Sequence, residues 1–213
     1  MEKILLVDDH SIIRSGLKML LSSDLGHYQF EEAANGEMAM EQINSEELAL
    51  IVLDINIPGT DTFALVEETI RLKPNSRILI FSMNSENIYA KRFLKMGVKG
   101  YVRKDEPAEE IKNAVFTVLN GKRYISKTLG ENLAREMFEK NSDNPFDKLS
   151  PKQFEIVRFL VMGKTISDIC SCMNLHSSTV STQKNRIFEK LNVANLVDLY
   201  ALAKMHLNAS TAA

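Results

Sequence analysis

The first half of the chain alternates two hydrophobic patterns. Short β-rich runs occur at residues 4–7, roughly 29–33, 51–53, 78–81 and 101–102. Between and after them, apolar residues recur at helical spacing around 12–21, 37–43, 63–72, 88–96 and 111–119. Five strands alternating with five helices predict βαβ units, and so a parallel sheet with helices on both faces. The unbroken apolar character of "LIVLD" and "ILIFS" agrees, because the strands of a parallel sheet are buried on both sides.

Beyond residue 121 the pattern becomes purely helical. A helix is predicted over roughly 129–139, followed by the polar break "NSDNP", and residues 122–147 read as a linker. In "LSPKQFEIVRFLVMGK", Ser150 reads as an N-cap, Pro151 as the first helical residue and Gln153 as the partner in a capping box, with Gly163 as the stop. Thr165 and Asp168 repeat this capping logic for a short helix that Asn174 ends. A third helix runs to about 191 and "NLVDLYALAKMH" supplies a fourth, so a four-helix domain is expected over 148–207. Residues 208–213, "NASTAA", read as a disordered tail.

A chain of 213 residues accommodates one large domain or two small ones, and 45% hydrophobic with 25% charged residues is ordinary for a soluble globular protein. The longest apolar runs carry a charge within a few residues, so none is expected to span a bilayer. Four apolar residues after Lys3 are too few for a signal peptide, and the compartment expected is the cytoplasm. Cys170 and Cys172, two apart on a helix, point in different directions and read as reduced packing residues. The net charge of −2 conceals an asymmetry: residues 148–206 hold eight Lys and Arg against four Asp and Glu, so the remainder is acidic. Two domains with different partners are expected.

Candidate chemistry emerges when the strands are aligned. In a parallel sheet all C-terminal strand ends lie along one edge, where ligands bind. The first strand is followed by Asp8 and Asp9, the third by Asp54, the fourth by Ser82 and the fifth by Lys104. Taken singly, each is as easily a turn residue, a helix cap or a solvated lysine. Their joint occurrence on one edge is the specific signal. Clustered carboxylates suit a hard divalent cation, with Mg²⁺ the usual choice beside phosphate. Asp54, ending the central strand, is the candidate nucleophile toward a phosphoryl group, with Lys104 neutralising charge and Ser82 donating a hydrogen bond.

These residues carry a resemblance. "LLVDDH", "LIVLDINIPGTD", "ILIFS" and "GVKGYVRKD" make residues 1–121 similar to the receiver domain of bacterial two-component response regulators. The resemblance implies a doubly wound, flavodoxin-like α/β fold and an aspartyl phosphate on Asp54, with the phosphoryl group taken from a sensor histidine kinase. It also implies Mg²⁺ held by Asp9, Asp54 and the backbone carbonyl of Asn56, with Asp8 assisting. Ser82 is then the switch hydroxyl, Tyr101 the aromatic that changes rotamer and Lys104 the phosphate-binding lysine. Thr62 stands where such proteins usually have Gly.

In the helix around 177–191, a buried face centred on Val180 includes Ile187 and Leu191. Ser178, Thr182, Asn185 and Glu189 fall opposite, flanked by Ser181 and Arg186, with Lys184 and Lys190 near the edges. A short helix and a tight turn precede it, which is helix-turn-helix geometry for the major groove of duplex DNA. Ser178, Ser181, Thr182, Lys184, Asn185 and Arg186 are the candidate DNA contacts; periodicity alone equally permits a protein-docking domain with a solvated face. "LSPKQFEIVRFLVMGK", "TVSTQKNRIFEKLNVAN" and "LVDLYALA" resemble the LuxR/NarL-type DNA-binding domain. With the receiver this resembles NarL/FixJ-type transcriptional regulators and implies phosphorylation-promoted homodimers on DNA. His176, Ser181 and Gln183 depart from the usual Ser, Lys and His. A receiver-type adaptor and a phosphatase are the competing classes. No second catalytic set is found for the latter, so no enzyme is expected beyond hydrolysis of the chain's own aspartyl phosphate.

Overall fold

The computed structural model describes residues 2–138, 144–173 and 175–207. The expected stop at Asn174, residues 141–143 of the polar break, the end of the helix expected to reach 139 and the 208–213 tail lie outside the described residues. The chain divides into two compact units, Met1–Ala134 and Arg135–Ala213.

In the first unit β1 (Lys3–Val7), β2 (Gln29–Ala33), β3 (Leu48–Leu53), β4 (Ile78–Ser82) and β5 (Gly100–Arg103) alternate with α1 (Ser11–Ser22), α2 (Gly36–Ser45), α3 (Thr62–Leu72), α4 (Glu86–Met96) and α5 (Ala108–Leu119). All pairings are parallel, in the order β2-β1-β3-β4-β5, so β3 is central. The doubly wound α/β expectation is met. One face of the sheet packs Ile4, Leu6, Val52, Leu79, Phe81 and Val102 against Leu17 and Leu21 of α1 and Ala114 and Val118 of α5. By the two-residue period of a strand, Leu5, Val7, Leu53 and Ile80 serve the other face, and all are buried. Phe63 of α3 and Phe93 of α4 stack there with ring centroids 4.4 Å apart. Each buried aliphatic or aromatic side chain contributes roughly 1.5–3 kcal/mol.

Register positions the site. Val7 pairs with Leu53, Leu53 with Ile80, and Ser82 with Arg103. The residue after each strand is therefore carried to the same edge: Asp54 N donates to Val7 O at 2.9 Å, and Lys104 N to Ser82 O at 3.0 Å.

The sequence pattern places the start of the linker at 122, but residues 122–134 pack within the first unit. Tyr124 N donates to Lys99 O at 2.9 Å, and Tyr124 forms a parallel bridge with Gly100 at the start of β5. A Cβ on Gly100 would lie 3.0 Å from the Tyr124 Cβ, so this close approach favours glycine. Helix α6 (Lys127–Phe138) follows.

The second unit holds a short 3₁₀ turn (Pro145–Lys148) and α7 (Pro151–Val161), α8 (Ile166–Met173), α9 (Ser177–Leu191) and α10 (Leu196–His206). Its core collects Phe146, Phe154, Ile156, Val157, Ile169, Val180, Ile187, Leu199 and Ala203. Both halves of the Ser150–Gln153 capping box form, with Pro151 in the first turn; such a cap contributes about 1 kcal/mol. Thr165 and Asp168 bond reciprocally ahead of α8. Cys170 and Cys172 are free thiols. Among the described residues no helix is long and apolar enough to cross a membrane.

Candidate functional site

In the first unit the structure brings together the polar residues expected at the strand ends. Asp54 is 3% exposed and Asp8 4%. The Lys104 ammonium, itself buried, donates to Asp54 Oδ2 at 2.9 Å and to Asp8 Oδ2. Burial pulls Lys104 downward, but its bonds to Asp8 and Asp54 outweigh this and hold it above the ordinary lysine value. The other Asp54 oxygen accepts from Ile55 N at 2.7 Å. Asp8 Oδ1 accepts from His10 N at 2.9 Å, and Arg14 Nη1 donates to Asp8 O at 2.7 Å. The alternative that these aspartates cap α1 is not realised: the N-cap is His10, with no side-chain cap bond.

Asp9 distinguishes this pocket from a closed ion-pair network. Its Oδ1 is buried, and among the described residues no donor bonds it. His10 Nδ1 comes within 2.9 Å of it but without hydrogen-bond geometry. Asp8 and Asp54 share one ammonium, and next to Asp8 the buried Asp9 oxygen has only the His10 imidazole near it. Such a donor set fits a hard divalent cation, which neutralises excess negative charge and takes oxygen ligands.

Ser82 is fully buried, and its Oγ accepts from Asn84 N at 3.2 Å. The Asn84 side-chain amide donates to Asn56 Oδ1 at 3.2 Å. Tyr101 is fully buried and its hydroxyl donates to Asn84 O at 2.9 Å. Burial raises the Tyr101 hydroxyl well above its ordinary value, keeping it a donor. Asn84 thus ties together Ser82, Asn56 and Tyr101, a role to which only its place two residues beyond a strand end points in the sequence. Thr62 is buried, and its hydroxyl donates to Ile55 O at 3.2 Å, tying α3 to the loop after Asp54.

In the second unit α9 divides as its periodicity predicts. Val180, Ile187 and Leu191 are buried, whereas Ser178, Thr182, Asn185, Arg186 and Glu189 are exposed and Ser181 is half-buried. The Thr182 hydroxyl donates to Ser178 O at 2.8 Å. Lys184 is half-buried, with Nζ 5.5 Å from the Phe188 ring centroid. Gln183 and Lys190 are held from α7: Gln153 Nε2 donates to Gln183 Oε1 at 3.0 Å, and Lys190 Nζ donates to Gln153 Oε1 at 2.8 Å. His176 is the α9 N-cap without a side-chain cap bond. On α10, Leu199 and Ala203 are buried, while Leu196, Val197 and Tyr200 are exposed, at 47%, 77% and 55%.

Comparison with known proteins agrees with both halves. Residues 4–116 match the response regulator receiver domain, and residues 147–203 match the bacterial regulatory proteins of the luxR family. The response regulator GacA of Pseudomonas syringae pv. syringae is 30% identical over 207 residues, covering 97% of each chain. The response regulator UvrY of Escherichia coli K12 is 28% identical over 207 residues, covering 97% of this chain and 95% of that one. Among solved structures, RcsB from Salmonella enterica serovar Typhimurium, bound to promoter rprA in the presence of the phosphomimetic BeF₃⁻, superposes with a TM-score of 0.70 at 20% identity. The match covers 95% of this chain and 98% of that one. The chain belongs to the two-component response regulators, with a receiver domain and a LuxR-type DNA-binding domain, and its work is the regulation of transcription.

Proposed function

We propose that Asp54 accepts a phosphoryl group from a sensor histidine kinase and that the resulting aspartyl phosphate controls dimerisation and binding to duplex DNA. The observation that carries this reading is the Lys104 ammonium shared between Asp54 and Asp8 beside the unbonded buried Asp9 oxygen. An Asp54 carboxylate oxygen attacks phosphorus in line as the nitrogen–phosphorus bond of the donor breaks, the electron pair returning to the imidazole. Lys104, already at the carboxylate, neutralises charge on the phosphoryl oxygens, and Ser82 offers its hydroxyl proton to one of them while continuing to accept from Asn84. Asp9, Asp54 and the Asn56 carbonyl would hold Mg²⁺, with Asp8 assisting; the ion supplies positive charge against repulsion between carboxylates and phosphate. Hydrolysis of this aspartyl phosphate is the only turnover proposed. The cytoplasm is the proposed compartment, because the kinase domain, ATP-derived phosphate and DNA meet there.

For the second unit, α9 is the proposed recognition helix. Ser178, Ser181, Thr182 and Asn185 face base edges, while Lys184 and Arg186 serve phosphates. The exposed Leu196, Val197 and Tyr200 of α10 suit an isologous contact between two copies on a two-fold site. We retain 1–121, 122–147 and 148–207 as proposed functional limits, with 122–134 anchored on the receiver.

The test measures DNA affinity and oligomeric mass of the full-length protein with and without acetyl phosphate and Mg²⁺. Phosphorylation is expected to increase both, and a tenfold change in affinity requires only about 1.4 kcal/mol of differential stability. Equal mass and equal affinity in the two states would remove phosphorylation control. A basic unit with no salt-dependent DNA affinity would favour the adaptor class instead.

A further inference from the structure

We propose that the first turns of α6 are part of the receiver's output. The Ser126 hydroxyl, supported by a bond from Asn132, latches them to α4 and so reports the position of the loop that follows β4. This rests on the phosphoacceptor reading above, and it names the route by which that site is read.

The connections are continuous from the phosphoacceptor edge to the linker. Ser82 accepts from Asn84 N, and Tyr101 donates to Asn84 O, so both backbone groups of Asn84 are held by residues of the site. One residue further, Ser85 is the N-cap of α4, and Glu86 is its first helical residue. Glu86 is buried, 9% exposed, and Oε1 accepts from Ser126 Oγ at 2.6 Å. The same Ser126 Oγ accepts from Leu129 N at 3.0 Å, which caps the start of α6. One side chain therefore caps the first turn of α6 and ties it to the first residue of α4. Asn132 Nδ2 adds a bond of 2.7 Å to Asn87 Oδ1, and Leu129 is 2% exposed. Upstream, the Tyr124 bridge to Gly100 fixes the chain entering the latch.

Geometry gives this contact a sensitivity that an ordinary surface bond lacks. Burial pushes the Glu86 carboxyl above its ordinary value, with Ser126 opposing that rise, so the carboxylate has little water to replace Ser126 if α4 shifts. The loop and the latch thus have discrete arrangements, not a continuum. Ser82 Oγ accepts from Asn84 and its hydroxyl proton can turn from the Tyr101 oxygen to a phosphoryl oxygen without releasing Asn84, so a phosphate engages the loop in the arrangement seen here. Phosphate should then hold the latch closed. Because α6 is continuous from Lys127 to Phe138, closing it sets the rigidity of the chain leaving the receiver. Thermodynamic linkage requires the effect to run both ways: whatever phosphate adds to the latch, the latch adds to phosphate binding.

The test uses amide hydrogen exchange of residues 127–134 in the full-length protein, with Mg²⁺ present, with and without BeF₃⁻. Exchange is expected to slow by roughly fivefold or more on adding BeF₃⁻. In Ser126→Ala and in Glu86→Ala the ratio should fall to about one, and BeF₃⁻ affinity should drop by the factor lost from the ratio, while both variants still take phosphate on Asp54. Glu86→Gln keeps an acceptor for Ser126 and should keep the wild-type ratio, which separates the latch from a general loss of packing. Unchanged or faster exchange in wild type, or an undiminished ratio in Ser126→Ala, would overturn the latch while leaving Asp54 chemistry intact. A protein that neither binds BeF₃⁻ nor takes label from acetyl phosphate would overturn the phosphoacceptor reading and the latch with it.

Discussion

Incubated with acetyl phosphate and Mg²⁺, the wild-type protein is expected to take up one acid-labile phosphate, and Asp54→Asn none. The expectation follows from the pocket's internal bonding. Asp8 is held on one oxygen by Lys104 and on the other by the His10 amide. Asp54 is held in the same way, by that ammonium and by the Ile55 amide, but it ends the central strand with Lys104 already at its carboxylate and Ser82 at the end of the next strand, the groups suited to receive phosphoryl oxygens. Asparagine preserves the shape and removes the anionic nucleophile. Asp9→Ala, or removal of Mg²⁺ by chelation, should slow labelling by about 10²-fold or more, since a bound metal contributes several kcal/mol to stabilising charge on a phosphoryl group. Intact-mass measurement reads both results. Undiminished phosphate on Asp54→Asn would displace the nucleophile assignment.

On the DNA side, Asn185→Ala is expected to cost about 1–3 kcal/mol of affinity for the preferred operator and to relax base preference at one position. Its side chain stands exposed on the outward face of α9. Lys184→Ala should weaken binding to all duplexes alike and lower the slope of log affinity against log salt by about one. To reach a phosphate, Lys184 must leave the Phe188 ring, so its effect should be smaller than that of a lysine already extended. Thr182→Ala should fall between these, because its hydroxyl is already bonded to Ser178 O. Fluorescence anisotropy on labelled duplexes at several salt concentrations distinguishes the three. Binding unaltered by all of them would move the interface off α9.

Much of this architecture was legible because it is governed by short-range or periodic rules. The Ser150–Gln153 box and the Thr165–Asp168 pair close over three residues, and both form. The buried stripe of α9 follows from 100° per residue, and Val180, Ile187 and Leu191 all lie inside. Even the distant partners Asp8, Asp54, Ser82 and Lys104 were accessible, since a parallel sheet aligns its strand ends. What escaped depends on which chain segments meet. The Ser126–Glu86 bond spans 40 residues, and neither residue carries a local pattern that points to the other. Lys190, which periodicity leaves near the edge of the helix, and Gln183 are drawn toward α7 by Gln153. The aspartates beside α1 have the composition of a cap, yet their carboxylates turn toward Lys104 and His10 instead.

The Tyr124 bridge to Gly100 also bears on how the sheet protects itself from pairing with other molecules. An open sheet has two outer strands, each with unpaired backbone groups that template aggregation. At one side β2 reads "QFEEA", where Glu31 and Glu32 make docking of another strand unfavourable. At the other, β5 reads "GYVR" and is apolar through most of its length. There the following chain supplies the guard, with Tyr124 seated against Gly100 and hydrogen-bonded to Lys99. A receiver cut at residue 121 would lose that guard and bare an apolar strand edge, whereas one ending at 134 keeps it, so the stretch that reads as a linker doubles as protection against insolubility.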